Sequence, residues 1–173
     1  GVKILYIATA RMPTEKAHGI QIMKMCEAFA GLGAVVELVV PFRRNDIRVD
    51  AFTYYGVART FSITTLPVPD LIMFGWLGFF LHRLLFGFQV RRYAARGQFD
   101  ILYSRDEVPL FCLGSVPGIR VLEAHEGRWT SIVRAVSRRA DKIVVITRGL
   151  RDFFVARGVP AQKLFVAPDG VEY

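Results

Sequence analysis

Apolar residues along this chain fall into short unbroken runs alternating with longer stretches that are apolar on one side only. Val2 to Ala8 (VKILYIA) is nearly continuous, the pattern of a strand buried on both faces of a parallel sheet. A polar loop with Pro13 follows, and from Gly19 to Ala30 the positions Ile22, Cys26, Phe29 and Ala30 share one side. Gln21, Lys24 and Glu27 recur on another, which predicts an amphipathic helix ended by Gly31 and Gly33. Val35 to Val40 reads as a second strand. Phe61 to Val68, bounded by Pro67 and Pro69, reads as a third at an edge, and the segment RRNDIRVDAFTYYG between them as irregular.

The second half repeats the alternation. Leu71 to Arg96 predicts a long helix, Ile101 to Ser104 a short strand, Val108 to Leu113 a short helical piece, and Ile119 to Ala124 another strand. Trp129, Ile132, Val133, Val136 and Ala140 then form one helical stripe, with Arg128, Arg134, Arg138 and Arg139 outside it. Lys142 to Ile146 is a buried strand, Thr147 can cap a helix that ends at Gly158, and Lys163 to Ala167 is a last strand. Strands alternating with helices predict an α/β fold: a Rossmann-like, doubly wound parallel sheet with right-handed crossovers. In such a sheet ligands collect at the carboxyl ends of the strands near the topological switch point, so the loops after the strands are the places to look for chemistry.

At 173 residues the chain is the size of one domain, and with 53% apolar and aromatic residues it is far from the composition of a disordered segment. The formal charge is +8 although charged residues make up only 22% of the chain. That balance argues against a nucleic-acid coat and leaves an anionic ligand or membrane surface open. Two cysteines make no disulfide framework, and His18, His82 and His125 lie too far apart for a familiar zinc spacing, so no metal is expected. The expected compartment is the reducing cytosol.

The polar singletons in the strand-end loops are the candidate chemistry. Gly19 opens a helix where free N–H groups and the dipole suit a phosphate, although a plain N-cap glycine accounts for it equally well. Neither G-x-G-x-x-G nor G-x-x-x-x-G-K-[ST] occurs, which leaves Arg43 and Arg44 a weak case for NADP. Ser104, Arg105, Asp106 and Glu107 put an arginine among carboxylates at one strand end, and a solvated ion pair is the plain reading of such a cluster. Glu123, Ala124, His125 and Glu126 are more telling, because a carboxylate two residues before a histidine interrupts an apolar strand. A buried ionisable group is costly unless paired, so Glu123 either holds a catalytic His125 or forms a purely structural pair with it.

A further set of residues carries a resemblance. SRD after a middle strand, E-x-H-E after the next, then ADKIVVIT, GL and RGVPAQKLFVAPDGVEY resemble the N-terminal half of a family-4 retaining glycosyltransferase of the GT-B fold. Asp169 and Glu172 stand where that family usually has Asn and Asp. The resemblance implies an acceptor-binding domain facing a C-terminal domain that holds a nucleotide diphosphate sugar, with no cofactor beyond that donor. By the same resemblance His125 faces the transferred sugar, Glu123 fixes the histidine, Gly19 approaches the donor diphosphate, and Arg105 lines the cleft. Asp106 and Glu126, beside them in the two runs, are expected to touch substrate. No covalent nucleophile is implied, since retention here is discussed as front-face attack supported by positioning and charge.

Gly1 and an ending inside a turn read as a piece of a longer protein, expected to fold alone and to transfer no sugar by itself. The implied partners are a nucleotide sugar, a carbohydrate or lipid-linked acceptor and the C-terminal domain, but no nucleic acid. The alternative is a non-catalytic module that docks a separate donor-binding partner. Leu71 to Val90 adds one more expectation, since twenty such residues reach about 30 Å as a helix. His82 and Arg83 near its middle argue against a membrane span. Gly75, Gly78, His82, Gln89 and Arg96 make a small or polar strip on it, leaving Leu, Phe, Trp and Met over the rest. The segment is therefore either core or an apolar ridge that docks peripherally on an anionic membrane, at the inner face of the cell membrane.

Overall fold

Seven of the apolar runs form one all-parallel sheet in the computed structural model, which describes residues 1–168. The strands are β1 (Lys3–Ile7), β2 (Val35–Pro41), β3 (Ser62–Leu66), β4 (Ile101–Ser104), β5 (Ile119–Ala124), β6 (Lys142–Val145) and β7 (Leu164–Val166). Their order is β3-β2-β1-β4-β5-β6-β7, with Ile4 paired to Val36 on one side and to Ile101 on the other. The chain winds outward from β1 to the β3 edge, then returns to β1's other side and winds the opposite way. The reversal lies between β1 and β4, which is the crevice where such sheets take ligands. The expected α/β Rossmann-like sandwich is the observed fold, and β3 is the edge strand the two prolines suggested. The segment from Asp169 to Tyr173, which carries the end of the PDGVEY run, lies outside the described residues.

Alternation along β1 divides the core in two. Ile4 and Tyr6 join Ile22, Met23 and Cys26 of α1 (Ala17–Gly31) and Phe52 of α2 (Ala51–Tyr55). Leu5 and Ile7 join a larger cluster with Phe86 and Val90 of α3 (Gly75–Gly97) and Leu110 of α4 (Glu107–Cys112). Val133 and Val136 of α5 (Ser131–Arg139) and Phe154 of α6 (Arg148–Ala156) belong to the same cluster. Burial of β1 on both faces, expected from its unbroken apolar run, follows from this two-sided cover.

Helix ends follow their local chemistry. The Oγ1 of Thr130 accepts from Val133 N at 3.1 Å, that of Thr147 accepts from Leu150 N at 3.0 Å, and Asp50 accepts from Thr53 N at 3.1 Å. This last cap, with Gly56 in the left-handed region after it, makes α2 inside a stretch expected to be irregular. The long helix also starts later than expected. A 3-10 turn over Ile72–Phe74 leads into Gly75 at φ +75°, and only there does α3 begin.

Candidate functional site

Above the carboxyl ends of β1, β4 and β5 lies a cavity of about 670 Å³, walled by α1 on one side and α3 on another. The reversal of strand order opens it, because crossovers diverge from β1 and β4 to opposite ends of the sheet. Its floor is the last turn of each strand: Ala8, Thr9 and Ala10 after β1, Arg105 to Glu107 after β4, and Leu122 to Glu126 at and after β5.

Glu123 is the most buried charge there, with its side chain 7% exposed. Its Oε1 accepts from the Tyr103 hydroxyl at 2.6 Å, its Oε2 from His125 Nε2 at 2.7 Å, and Arg105 Nε lies 3.2 Å from the same oxygen. Burial works to raise the Glu123 carboxyl, but the bonds from His125 and Tyr103 and the charge of Arg105 outweigh it. The group is held below the usual carboxylate range. An ionised acceptor requires the proton of the imidazole on Nε2, so the pairing sets the tautomer as well as the ring orientation. The Tyr103 hydroxyl is pushed the other way, first by burial and then by the neighbouring carboxylate. Arg105 also reaches across to α1, where its Nη1 donates to the His18 carbonyl at 3.4 Å. The interrupted apolar strand therefore marks a real pair, with two more donors that the sequence spacing did not show.

A second charged set closes the wall toward α3. Arg83 Nε donates to Asp106 Oδ2 at 2.9 Å, and its Nη2 donates to Asp106 Oδ1 at 2.5 Å and to Glu107 Oε1 at 3.1 Å. Burial works against the arginine's charge, yet the two carboxylates hold it more firmly protonated than in water. Asp106 additionally accepts from Val108 N at 3.0 Å, as the cap of α4. The carboxylate expected to touch substrate is thus already engaged by Arg83 and by its own helix. Glu126 lines the cavity at its rim, where it pairs with Arg128 at 2.9 Å with both side chains two-thirds exposed.

Gly19 departs from its expected place. Lys16 is the N-cap of α1, and Gly19 is the third residue of the helix, buried, its N–H donating to the Lys16 carbonyl at 3.1 Å. A Cβ at this position would come 2.1 Å from the Tyr55 hydroxyl and 2.7 Å from Thr14 Cγ2, and Gly19 is not part of the cavity lining. What requires glycine is the Tyr55 side chain, whose hydroxyl accepts from Thr14 N and donates to Thr14 O, both at 2.7 Å. The neighbour that does face the cavity is His18, which the strand-end reasoning passed over. Its imidazole is held below the ordinary histidine value, mainly by burial and next by Arg105. The only advance signal for it was its place in the first turn of the helix after β1.

Among the described residues no group of three or more His, Cys, Asp and Glu side chains is arranged to hold a metal ion. The model of Glycosyltransferase Family 4 matches residues 19–173. The chain belongs to Glycosyltransferase Family 4. A search of curated proteins gave no match. Among solved structures, the lipopolysaccharide outer core galactosyltransferase WaaB in its apo form is similar at a TM-score of 0.67 and 15% identity. That likeness covers 98% of this chain and 46% of WaaB. Sucrose-phosphate synthase from Thermosynechococcus elongatus is similar at 0.69 and 12%, covering 99% and 49%. Anabaena HepE in complex with UDP is similar at 0.59 and 14%, covering 99% and 45%. At such identities these likenesses show the fold, which is that of one half of a GT-B glycosyltransferase, and the chain spans just under half the length of each. The family-4 resemblance expected from the SRD and E-x-H-E runs is thereby shown.

Proposed function

We propose that this family-4 domain is the acceptor-side half of a sugar transferase that moves a hexose from a nucleotide diphosphate sugar to a glycan, lipid-linked or small-molecule acceptor with retention. The observation that carries the reading is the buried Glu123 carboxylate holding His125 at the floor of a cavity placed at the sheet's reversal point. HepE is described in complexes with UDP and with UDP-glucose, which supports a nucleotide sugar as the donor class. Arg105 brings positive charge and N–H donors to the reacting end of the cavity, where a diphosphate leaving group develops negative charge, and His125 is held beside it with its ring oriented by Glu123. Glu123 keeps both in position, and no side chain is assigned as a covalent nucleophile. A complementary donor-holding domain completes the cleft. The cysteines Cys26 and Cys112 are free and buried, which fits a reducing compartment.

The test is transfer from a panel of UDP-, GDP- and ADP-sugars by the longest natural polypeptide that carries this chain. His125→Ala should lower kcat by about 10²-fold or more, the scale of a positioned acid–base or charge-stabilising group, with the far-UV spectrum unchanged. The product should keep the donor's anomeric configuration by proton NMR, and these 173 residues alone should transfer nothing. Near wild-type rates in the variant would remove His125 from the mechanism, and turnover by the isolated domain would remove the need for a second half.

A further inference from the structure

The residues of α3 are turned the opposite way from an ordinary core helix. Gly78, His82, Phe86, Gly87, Val90 and Ala94 face inward and are buried, while Leu77, Leu81, Leu85 and Phe88 form an exposed row outside. The glycines explain the inversion, because a Cβ on Gly87 would stand 2.6 Å from Cys112 Sγ and one on Gly78 would stand 2.1 Å from the Leu71 carbonyl. The helix therefore sits close to α4 at Gly87 and close to its own lead-in at Gly78, and Leu77, Leu81, Leu85 and Phe88 are left at the surface. Met73 and Trp76, at 75% and 81% exposure, extend the row at its start. The same row ends differently, for Leu77, Leu81, Leu85 and Phe88 are followed on that face by Arg92, with Arg91 and Arg96 exposed beside it. From Trp76 to Arg92 is about 24 Å along the axis, and α3 contains no Asp or Glu.

We propose that this row docks the protein on an anionic lipid bilayer, with the Trp76 end in the acyl boundary and Arg91, Arg92 and Arg96 among the phosphates. The occupant follows from the order of apolar and basic positions. A second copy would pair the row with itself, which places arginines either against arginines or against leucines, so the surface is not self-complementary. A bilayer offers both an apolar layer and phosphates at the depths the helix demands. Ile72–Gly97 is also long and apolar enough to cross a membrane. Crossing is excluded by β3 and β4, which flank it in one sheet, and by the packing of Phe86 and Val90 in the core. The helix lies on the surface, and its lipid end is the cavity's own wall, because Trp76, Phe79, Phe80 and Arg83 line the site. Resting on the transfer reading above, this assigns the acceptor to the lipid-linked class, entering from the bilayer past Trp76.

The protein should co-sediment at low salt with vesicles of phosphatidylglycerol and phosphatidylcholine more strongly than with phosphatidylcholine alone. Trp76 fluorescence should be quenched by brominated acyl chains, and Trp76→Phe should remove that quenching. Leu81→Glu with Leu85→Glu, at exposed positions that leave folding intact by circular dichroism, should cut binding at least tenfold. Each Arg→Gln change at Arg91, Arg92 or Arg96 should cost about fivefold on anionic vesicles alone. Absence of binding to anionic vesicles, or a dimer in sedimentation that Leu81→Glu dissolves while vesicles are ignored, would overturn the proposal. Neither readout involves turnover. Loss of vesicle binding therefore leaves the transferase reading standing, and loss of transfer leaves the docking standing but removes the acceptor assignment.

Discussion

Two charged sets line one cavity and are built on opposite plans. Around Glu123 a single buried anion collects donors from Tyr103, Arg105 and His125. Around Arg83 a single cation collects Asp106 and Glu107. The residues of the β4 loop are divided between them: Arg105 turns to the first set, and Asp106 and Glu107 to the second. An anion at the centre leaves the Arg105 guanidinium and the His125 imidazole facing the cavity, whereas a cation at the centre occupies the carboxylates that surround it. The first set accordingly holds what a phosphorylated ligand could use, and the second braces α3 against the start of α4.

The contrast is sharpest for the central residues. Glu123→Ala leaves the buried Tyr103 and the part-buried Arg105 and His125 without their common acceptor and should cost about 3 kcal/mol in urea unfolding. On the proposed transfer reading it should also lower kcat, in the longest natural polypeptide that carries this chain, at least as much as His125→Ala does. Arg83→Met should cost less, about 2 kcal/mol, since Asp106 keeps its capping bond and the Asp106 and Glu107 side chains are 12% and 21% exposed. If the second set is only a brace, the pH profile of transfer is unchanged in this variant, and a displaced profile would break the comparison.

Acid separates the two further. Because the Glu123 carboxyl is held below its ordinary value of 4.5, its contribution to stability is complete above that value and is lost as pH falls through the lowered folded value. The stability gap between wild type and Glu123→Gln, followed by thermal unfolding from neutral pH downward, should stay level and then shrink in that acid range. The smallest effect is expected at the rim. Glu126→Gln breaks an exposed pair with Arg128 and should change stability by less than about 0.5 kcal/mol. A larger loss would mean that Glu126 belongs to the Glu123 set.

How much of this was legible in the sequence depended on whether a pattern had one interpretation. β1, β5, β6 and the cap at Thr147 were readable because an unbroken apolar run or a Thr before a helix stripe has few alternatives. The paired Glu123 and His125 were readable for a related reason, since a charge in an apolar strand demands a partner. The face of α3 was not readable. Its small strip and its bulky sides are both apolar enough for a core, and close approach to Cys112 decides between them. Arg83 and Asp106 lie 23 residues apart on different elements, so only the fold brings them together. The surroundings of Gly19 were not readable because a glycine near a helix start looks the same whether a phosphate or a tyrosine hydroxyl stands over it.

The parallel order of the sheet sets a timetable for the chain as it is synthesised. Residues of β1, β2 and β3 emerge before α3, but α3 emerges before β4 and before α4, the helix that its Gly87 fits. At ordinary ribosomal speeds the stretch from Gln98 to Cys112 takes on the order of one to three seconds to make. Throughout that interval the nascent helix has the apolar residues of β1, β2 and β3 on which to pack Phe86 and Val90 but lacks Leu102, Leu110 and Leu113, which belong to the part of their cluster still to be made. Whichever surface it meets first, a chaperone, a lipid headgroup layer or its own β-sheet, competes directly with closure of the fold.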